Sequence, residues 1–424
     1  MIARWEEIRT GFDRPFWVAN TSEIFERLSY YAVFATLSLY LQQTLAFPTA
    51  TAASLSGIFG GAVWVMAIFG GALADRIGFR RALSSAYFIL ACAYFLVGSI
   101  GAPWLAPVRS VVPLGLLAGI ILFLPALGVA LVKPSVVGTT ARASNERVRS
   151  IGYSIYYTMV NIGSTAGPFL AGWLHAHMSP QSVFTIAALS VLAMFFVVLM
   201  FFKEPRAAQE AEAAAAPVHF WRNFGIVLGN WRFMLFLLIF SGYWIVFWQQ
   251  YLILPIYLHN YAGASDSTTA YILITDPLIV ITCTIALNAL TRRLSPLLAV
   301  TIGTLITSLG WLVIAAHAGA TAAVVSLVFV ALGEITQSPR YYEYISRLAP
   351  AGQQGTYMGF AFLPIGIGSF VGGWFGGAIV HHFGEVLKQP ALVWPVITGV
   401  GVITTVLLWI YDRAIARPVT ASLG

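Results

Sequence analysis

A few charged side chains stand inside segments that are otherwise too apolar to favour them. Glu23, Glu26 and Arg27 precede Tyr30 and Tyr31 in one such segment, Lys133 precedes Pro134 in a second, Asp276 precedes Pro277 in a third, and Glu334 lies in a fourth. A charge at the centre of a membrane-spanning helix costs about 2.5–3.5 kcal/mol on insertion scales, so such residues persist where they pair or face a water-filled cavity. At 3.6 residues per turn, Glu23, Arg27 and Tyr30 share one helix face with Glu26 beside them. Glu23 and Arg27 also have the i,i+4 spacing of an ion pair. Two acids and two bases at one depth can relay a proton, because gaining or losing one forces the others to re-pair. A static set of salt bridges is the competing reading, and desolvation offsets most of what such a buried pair would contribute. Cations in the first half and acids in the second suit a short zwitterionic solute. Arg340 and Glu343, nearer a helix end, read as a solvated ion pair.

The elements that must carry these groups are membrane helices. Of 424 residues 59% are hydrophobic and 9% charged, against about a quarter charged in soluble domains. A spanning helix needs about 20 mostly apolar residues. Twelve such segments are centred near Tyr31, Val63, Ala93, Leu122, Gly163, Leu192, Val246, Val280, Leu305, Val330, Ile367 and Thr404. The expected organisation is a six-helix bundle over 1–202, a cytoplasmic linker over 203–230 with a surface helix at Pro217–Leu228, and a second six-helix bundle over 231–424. The formal charge of +7 is not gathered on one face, which argues against nucleic acid as a partner. Among the bases, Arg109 and Lys388 fall in outer loops, Arg27, Lys133 and Arg340 lie within apolar segments, and the rest fall on one side. That asymmetry places both termini in the cytoplasm. The first fifteen residues lack the apolar core of a cleavable signal. Cys92 and Cys283 read as small core residues. His175, His177, His381 and His382 read as interfacial residues at outer loop ends without acidic companions, and no metal site or cofactor is expected.

The run Gly71-Ala-Leu-Ala-Asp75-Arg76-Ile-Gly78-Phe-Arg80-Arg81 joins the second and third segments. It resembles the signature loop of the major facilitator superfamily. Gly71 and Gly78 permit a tight helix end and close packing, Asp75 can accept from helix-terminal N–H groups, and the arginines anchor the cytoplasmic side. Leu290-Thr-Arg-Arg-Leu294 is a degenerate counterpart in the second half. The resemblance implies an all-α major facilitator fold, twelve transmembrane helices in two six-helix bundles, with a solute site at the midplane.

More specific motifs resemble the proton-dependent oligopeptide transporter family: Glu23-Ile-Phe-Glu-Arg-Leu-Ser-Tyr-Tyr31, Lys133-Pro134, Tyr156-Tyr-Thr-Met-Val-Asn-Ile-Gly163, Gly333-Glu334 with Ser338-Pro339, and Gly359–Gly368. By that resemblance Glu23, Glu26, Arg27 and Lys133 form the proton-coupling network. Arg27 and Lys133 meet a substrate carboxylate, Tyr30, Tyr31 and Asn161 line the pocket, and Glu334 pairs with a substrate amine. Several positions depart from the family. Phe34 stands where members carry an arginine, and Trp248, before Gln249, stands where they carry a glutamate. The loss of both charges implies an aromatic outer closure. Trp64 replaces a pocket tyrosine, and Asp276 replaces an asparagine, adding an acid that is either a second amine partner or a relocated proton site. The linker is too short for the two extra helices of many bacterial members.

The expected function is a proton-coupled symporter of small zwitterionic solutes such as di- and tripeptides, working by alternating access as a monomer in a bacterial inner membrane. The alternative keeps the fold and changes the cargo to an organic anion, a nitrate-like solute or a hydrophobic drug, which Phe34, Trp64, Trp248 and the aromatic segment Tyr243–Tyr251 would favour. No nucleophile–base spacing or phosphate-cradling loop points to an enzyme.

Overall fold

Segments of about 20 apolar residues have one way to satisfy their backbone in lipid, which is to hydrogen-bond it internally as helix. The computed structural model describes residues 11–145, 148–205, 220–291, 293–350 and 354–416. All twelve expected segments are helical. In the first half they are α1 (Arg14–Leu39), α2 (Thr49–Ile77), α3 (Phe79–Ser99), α4 (Leu114–Arg142), α5 (Arg149–His177) and α6 (Gln181–Phe201). A surface helix α7 (Phe220–Gly229) follows, and the start of the expected linker helix lies outside the described residues. The seventh segment is broken into α8 (Trp231–Phe247), α9 (Gln249–Leu252) and α10 (Leu254–Ala262). The remainder comprises α11 (Asp266–Ile272), α12 (Thr275–Thr291), α13 (Pro296–Gly310), α14 (Leu312–Ala316), α15 (Ala320–Leu348), α16 (Gln354–Phe360), α17 (Leu363–Ile379) and α18 (Val393–Tyr411).

Among the described residues ten helical stretches are both long and apolar enough to cross a membrane. The two spans missing from that count, α1 and α5, are long enough at 26 and 29 residues. They fall short in apolarity because α1 carries Glu23, Glu26 and Arg27 and α5 is diluted by tyrosine, asparagine, serine and threonine. One of these two helices, α1, thus carries the ionisable cluster.

The chain divides into two compact units: Met1–Thr36 with Ala62–His219, and Leu37–Gly61 with Phe220–Gly424. The division therefore differs from a cut at the linker, because Leu37–Gly61 belongs with the second unit. In that unit the first half of α2 lies directly on α17, where a Cβ on Gly57 would stand 2.6 Å from the Ser369 carbonyl oxygen and 3.0 Å from the Gly373 Cα. Lipid gives helices no hydrophobic reason to associate, so small residues that let backbones approach supply the packing.

In the first unit the lysine–proline pair of α4 has a structural consequence. Pro134 has no N–H, so the carbonyl of Ala130, four residues earlier, loses its helical donor. Gly70 of α2 packs onto that carbonyl so closely that an added Cβ would sit 1.8 Å from the oxygen. Gly71, which the motif marks for close packing, is the roomier of the two, with Pro134 Cβ at 3.7 Å. Gly78 does end a helix as expected, with φ +81° between α2 and α3. The first turn of α3 is capped from a distance: Glu204 accepts from the backbone N–H groups of Phe79 at 2.6 Å and Arg80 at 3.0 Å. Arg80 also donates to the Leu199 carbonyl at 2.7 Å, tying the motif to the end of α6. Arg76 is exposed in the last turn of α2.

Cys92 is exposed rather than in the core, and Cys283 is partly exposed. A small apolar side chain loses nothing by facing lipid, so burial is a poor expectation for it here.

Gly70→Ala is expected to destabilise the protein by about 1–3 kcal/mol, as overpacking does, whereas Gly71→Ala leaves stability unchanged. Thermal unfolding of the two variants in detergent checks this, and equal melting temperatures would refute the contact.

Candidate functional site

α1 delivers the ionisable cluster. Glu23 and Glu26 are fully buried and Arg27 is 1% exposed. The Arg27 Nε donates to Glu26 Oε2 and lies 3.5 Å from Glu23 Oε1. One guanidinium therefore serves two carboxylates. Its Nη2, both Glu23 oxygens and Glu26 Oε1 have no hydrogen-bond partner among the described residues. Buried polar atoms are nearly always partnered, so four unmet atoms around one ion cluster mark a place built to exchange partners. Arg27 also lies over the Tyr30 ring at 5.1 Å, and Tyr30 meets Tyr31 and Phe34 edge-on at 5.2 and 5.7 Å.

Lys133 is near enough to Arg27, Glu23 and Glu26 to feel their charges. It nevertheless holds no ion pair with a carboxylate among the described residues. Its ammonium stands 4.0 Å from the centroid of the Trp64 ring. A cation over an indole face is attracted by the ring quadrupole without being neutralised, so the Lys133 amine is held by Trp64 and not by a carboxylate. The expected four-residue network thus resolves into a three-residue ion cluster and a neighbouring lysine held on an aromatic face.

The backbone around the cluster is set by α5. A Cβ on Gly163 would stand 2.6 Å from the Ile24 carbonyl oxygen and 2.7 Å from Arg27 Cβ. The motif that ends in Gly163 therefore works through its glycine, which brings α5 onto α1 at Arg27. Asn161, expected in the pocket, is nearly buried and donates from Nδ2 to the Tyr157 carbonyl of its own helix at 2.8 Å. Two residues were missed: Tyr87 and Tyr94 of α3 are fully buried and within electrostatic range of Glu23 and Glu26 respectively. Their spacing of seven on one helix face was the available signal. Tyr87 donates to Ser22 Oγ at 2.8 Å.

The second unit holds a separate polar cluster. Asp276, in the first turn of α12, is 5% exposed, and its carboxyl is within hydrogen-bonding reach of Glu334 on α15. The fully buried Gln250 donates from Nε2 to Asp276 Oδ2 at 3.4 Å. Gln249, the expected site residue, is turned elsewhere: Nε2 donates to the carbonyls of Ile245 at 2.7 Å and Gly372 at 3.2 Å. The adjacent glutamines face different sides of a one-turn helix, Gln249 towards α17 and Gln250 towards Asp276. Trp248 is 2% exposed; its Nε1 donates to the Ile365 carbonyl at 3.1 Å, and its ring packs with Trp244, Phe247 and Tyr251. The aromatic run around Trp248 is thus a packed cluster within the second unit.

Arg340 and Glu343 pair at 2.6 Å as expected. They are half-buried rather than solvated, because Arg340 also caps the end of α12 through the Thr291 carbonyl at 3.2 Å. His381 has an acidic companion after all, Glu385 at 2.6 Å one turn away, and His259 lies 3.2 Å from Asp266. Asp75 has no described side chain.

Comparison with known proteins agrees with this architecture. The Major Facilitator Superfamily model matches residues 21–363. The chain is 24% identical over 81% of its length to 81% of the multidrug resistance protein MdtH of Enterobacter sp. (strain 638), and 25% identical to 80% of that of Citrobacter koseri. Among solved structures, it is similar to a POT family transporter in complex with 5-aminolevulinic acid (TM-score 0.74, 18% identity, 94% of this chain and 96% of that one) and to the POT family transporter PepTSo (TM-score 0.73, 17% identity, 95% and 98%). With a match across most of its length, this membrane-embedded chain belongs to the major facilitator superfamily.

Proposed function

We propose that the protein is a proton-coupled symporter of small zwitterionic solutes, di- and tripeptides foremost, of the oligopeptide-transporter kind. The observation that carries this reading is Arg27 held between two buried carboxylates with unmet hydrogen-bonding capacity, beside a lysine on Trp64. Protonation of Glu23 or Glu26 releases part of the guanidinium's charge, and a solute carboxylate can then occupy it. A proton moving inward gains about 2.3 kcal/mol per 100 mV of membrane potential, which is enough to drive accumulation. The solute crosses chemically unchanged, so the protein is not an enzyme. It acts as a monomer in a bacterial inner membrane with both termini cytoplasmic. The likeness of fold to POT transporters supports this reading.

A second reading, transport of a hydrophobic drug, is favoured by the MdtH relatives and by the aromatic run around Trp248. In proteoliposomes under an imposed inward pH gradient, labelled dipeptide is expected to accumulate unmodified. Accumulation of none of a dipeptide panel, together with drug movement, would establish the second reading instead.

Glu23→Gln and Glu26→Gln are each expected to reduce gradient-driven uptake to background while solute counterflow persists. Undiminished uptake in both would refute the coupling role. For orientation, in a Cys92→Ser, Cys283→Ser background, Ser179→Cys is expected to react with an impermeant maleimide on intact cells and Ser295→Cys only after permeabilisation. The reverse pattern would invert the topology.

A further inference from the structure

Asp276 and Glu334 of the second unit differ from the acids of α1 in having no ion pair with a cation among the described residues. Asp276 and Glu334 come from different helices, α12 and α15, which pack along much of their length. Around them stand Tyr243 from α8, Gln250 from α9, Gln337 from α15 and Thr307 from α13, each fully buried. Tyr243, a further titratable group here, lies near both carboxyls and beside Gln337 and Thr307. The cations of the same α15, Arg340 and Arg347, are engaged by Glu343 at its far end.

Hydrogen bonding in this cluster is incomplete in a specific way. Gln250 gives its Nε2 hydrogen to Asp276 Oδ2, and its Oε1 has no partner among the described residues. Asp276 Oδ1 is buried and receives no amide or hydroxyl hydrogen from the described residues. The group within reach of Asp276 is the Glu334 carboxyl. Two ionised carboxylates only accept hydrogen bonds, so contact between them is repulsive and leaves both unsatisfied. One hydrogen between them supplies the missing donor and halves the charge that must be held in a low-dielectric site. Position favours an asymmetric share: the N-terminal turn of α12 stabilises negative charge at Asp276, and Glu334, in mid-helix, has no such help.

We propose that Asp276 and Glu334 form a carboxyl pair that shares a single proton, a second protonation site separate from the Glu23–Arg27–Glu26 cluster. The pair carries one negative charge with the proton and two without it. Loss of the proton to water leaves a dianion suited to a solute ammonium group, so proton departure and amine binding are linked at this site. The consequence for coupling rests on the transport reading above; the existence of the shared proton does not.

Infrared difference spectroscopy of the purified protein, recorded without solute or gradient, separates the two. A C=O stretching band of a protonated carboxyl that shifts in heavy water is expected in the wild type and in Glu23→Gln. It should be lost in both Asp276→Asn and Glu334→Gln, because in each variant the new amide supplies the hydrogen and the remaining acid stays ionised. Both substitutions conserve shape, and a monodisperse size-exclusion peak confirms folding. Retention of the band in both variants would overturn the proposal. Loss in one alone would overturn it as well, since the proton would then belong to a single carboxyl. In proteoliposomes that transport, the proton-to-solute ratio is expected to fall by one in Asp276→Asn.

Discussion

The structure is organised around one guanidinium that lipid cannot solvate. Arg27 takes its counter-charge from Glu26 and Glu23 on its own helix, so the ion cluster lies within two turns of α1. A charge set of this kind tolerates no exposure to hydrocarbon, and the neighbouring helices are shaped to enclose it. Gly163 brings α5 onto the cluster, Tyr87 and Tyr94 of α3 bury their rings beside it, and Trp64 of α2 holds Lys133 at its edge. α1, which carries these charges, is accordingly buried over most of its length.

Proline recurs next to the buried charges, as Lys133-Pro134 and Asp276-Pro277. In a spanning helix proline frees a carbonyl that something else must approach. At Pro134 the freed carbonyl of Ala130 receives Gly70 of α2, and Ser135 bonds back to Leu131 at 2.7 Å. At Pro277 the proline sits in the first turn of α12, where its missing N–H costs nothing and the helix N-terminus faces Asp276. The same residue type thus locks one helix against its neighbour and starts another at a carboxyl.

Much of the site was legible because charge in an apolar segment is costly and therefore informative. Glu23, Glu26, Arg27 and Asp276 are buried, and Lys133 and Glu334 stand half-buried beside them. What misled the reading was direction. Gln249 and Gln250 are equally polar and adjacent, and only the break of the seventh span at Trp248 and Ile253 decides which meets Asp276. Asn161 matches a motif yet returns its amide to its own helix, while the neighbouring glycine does the positioning. His381 gains an acidic companion in Glu385 because the eleventh span continues as helix through Val386, which sets the two residues one turn apart.

Composition and periodicity by themselves determined that the chain forms spanning helices, where those helices lie and which of them carry charge. Each follows from the free energy of placing one residue type in lipid, which depends on the local sequence alone. Only the tertiary structure decided that Lys133 rests on Trp64 rather than on a carboxylate, that Gly70 instead of Gly71 makes the close approach, and that Asp276 meets Glu334. Those outcomes depend on helix rotation and depth, which are set by small-residue contacts between segments far apart in the chain.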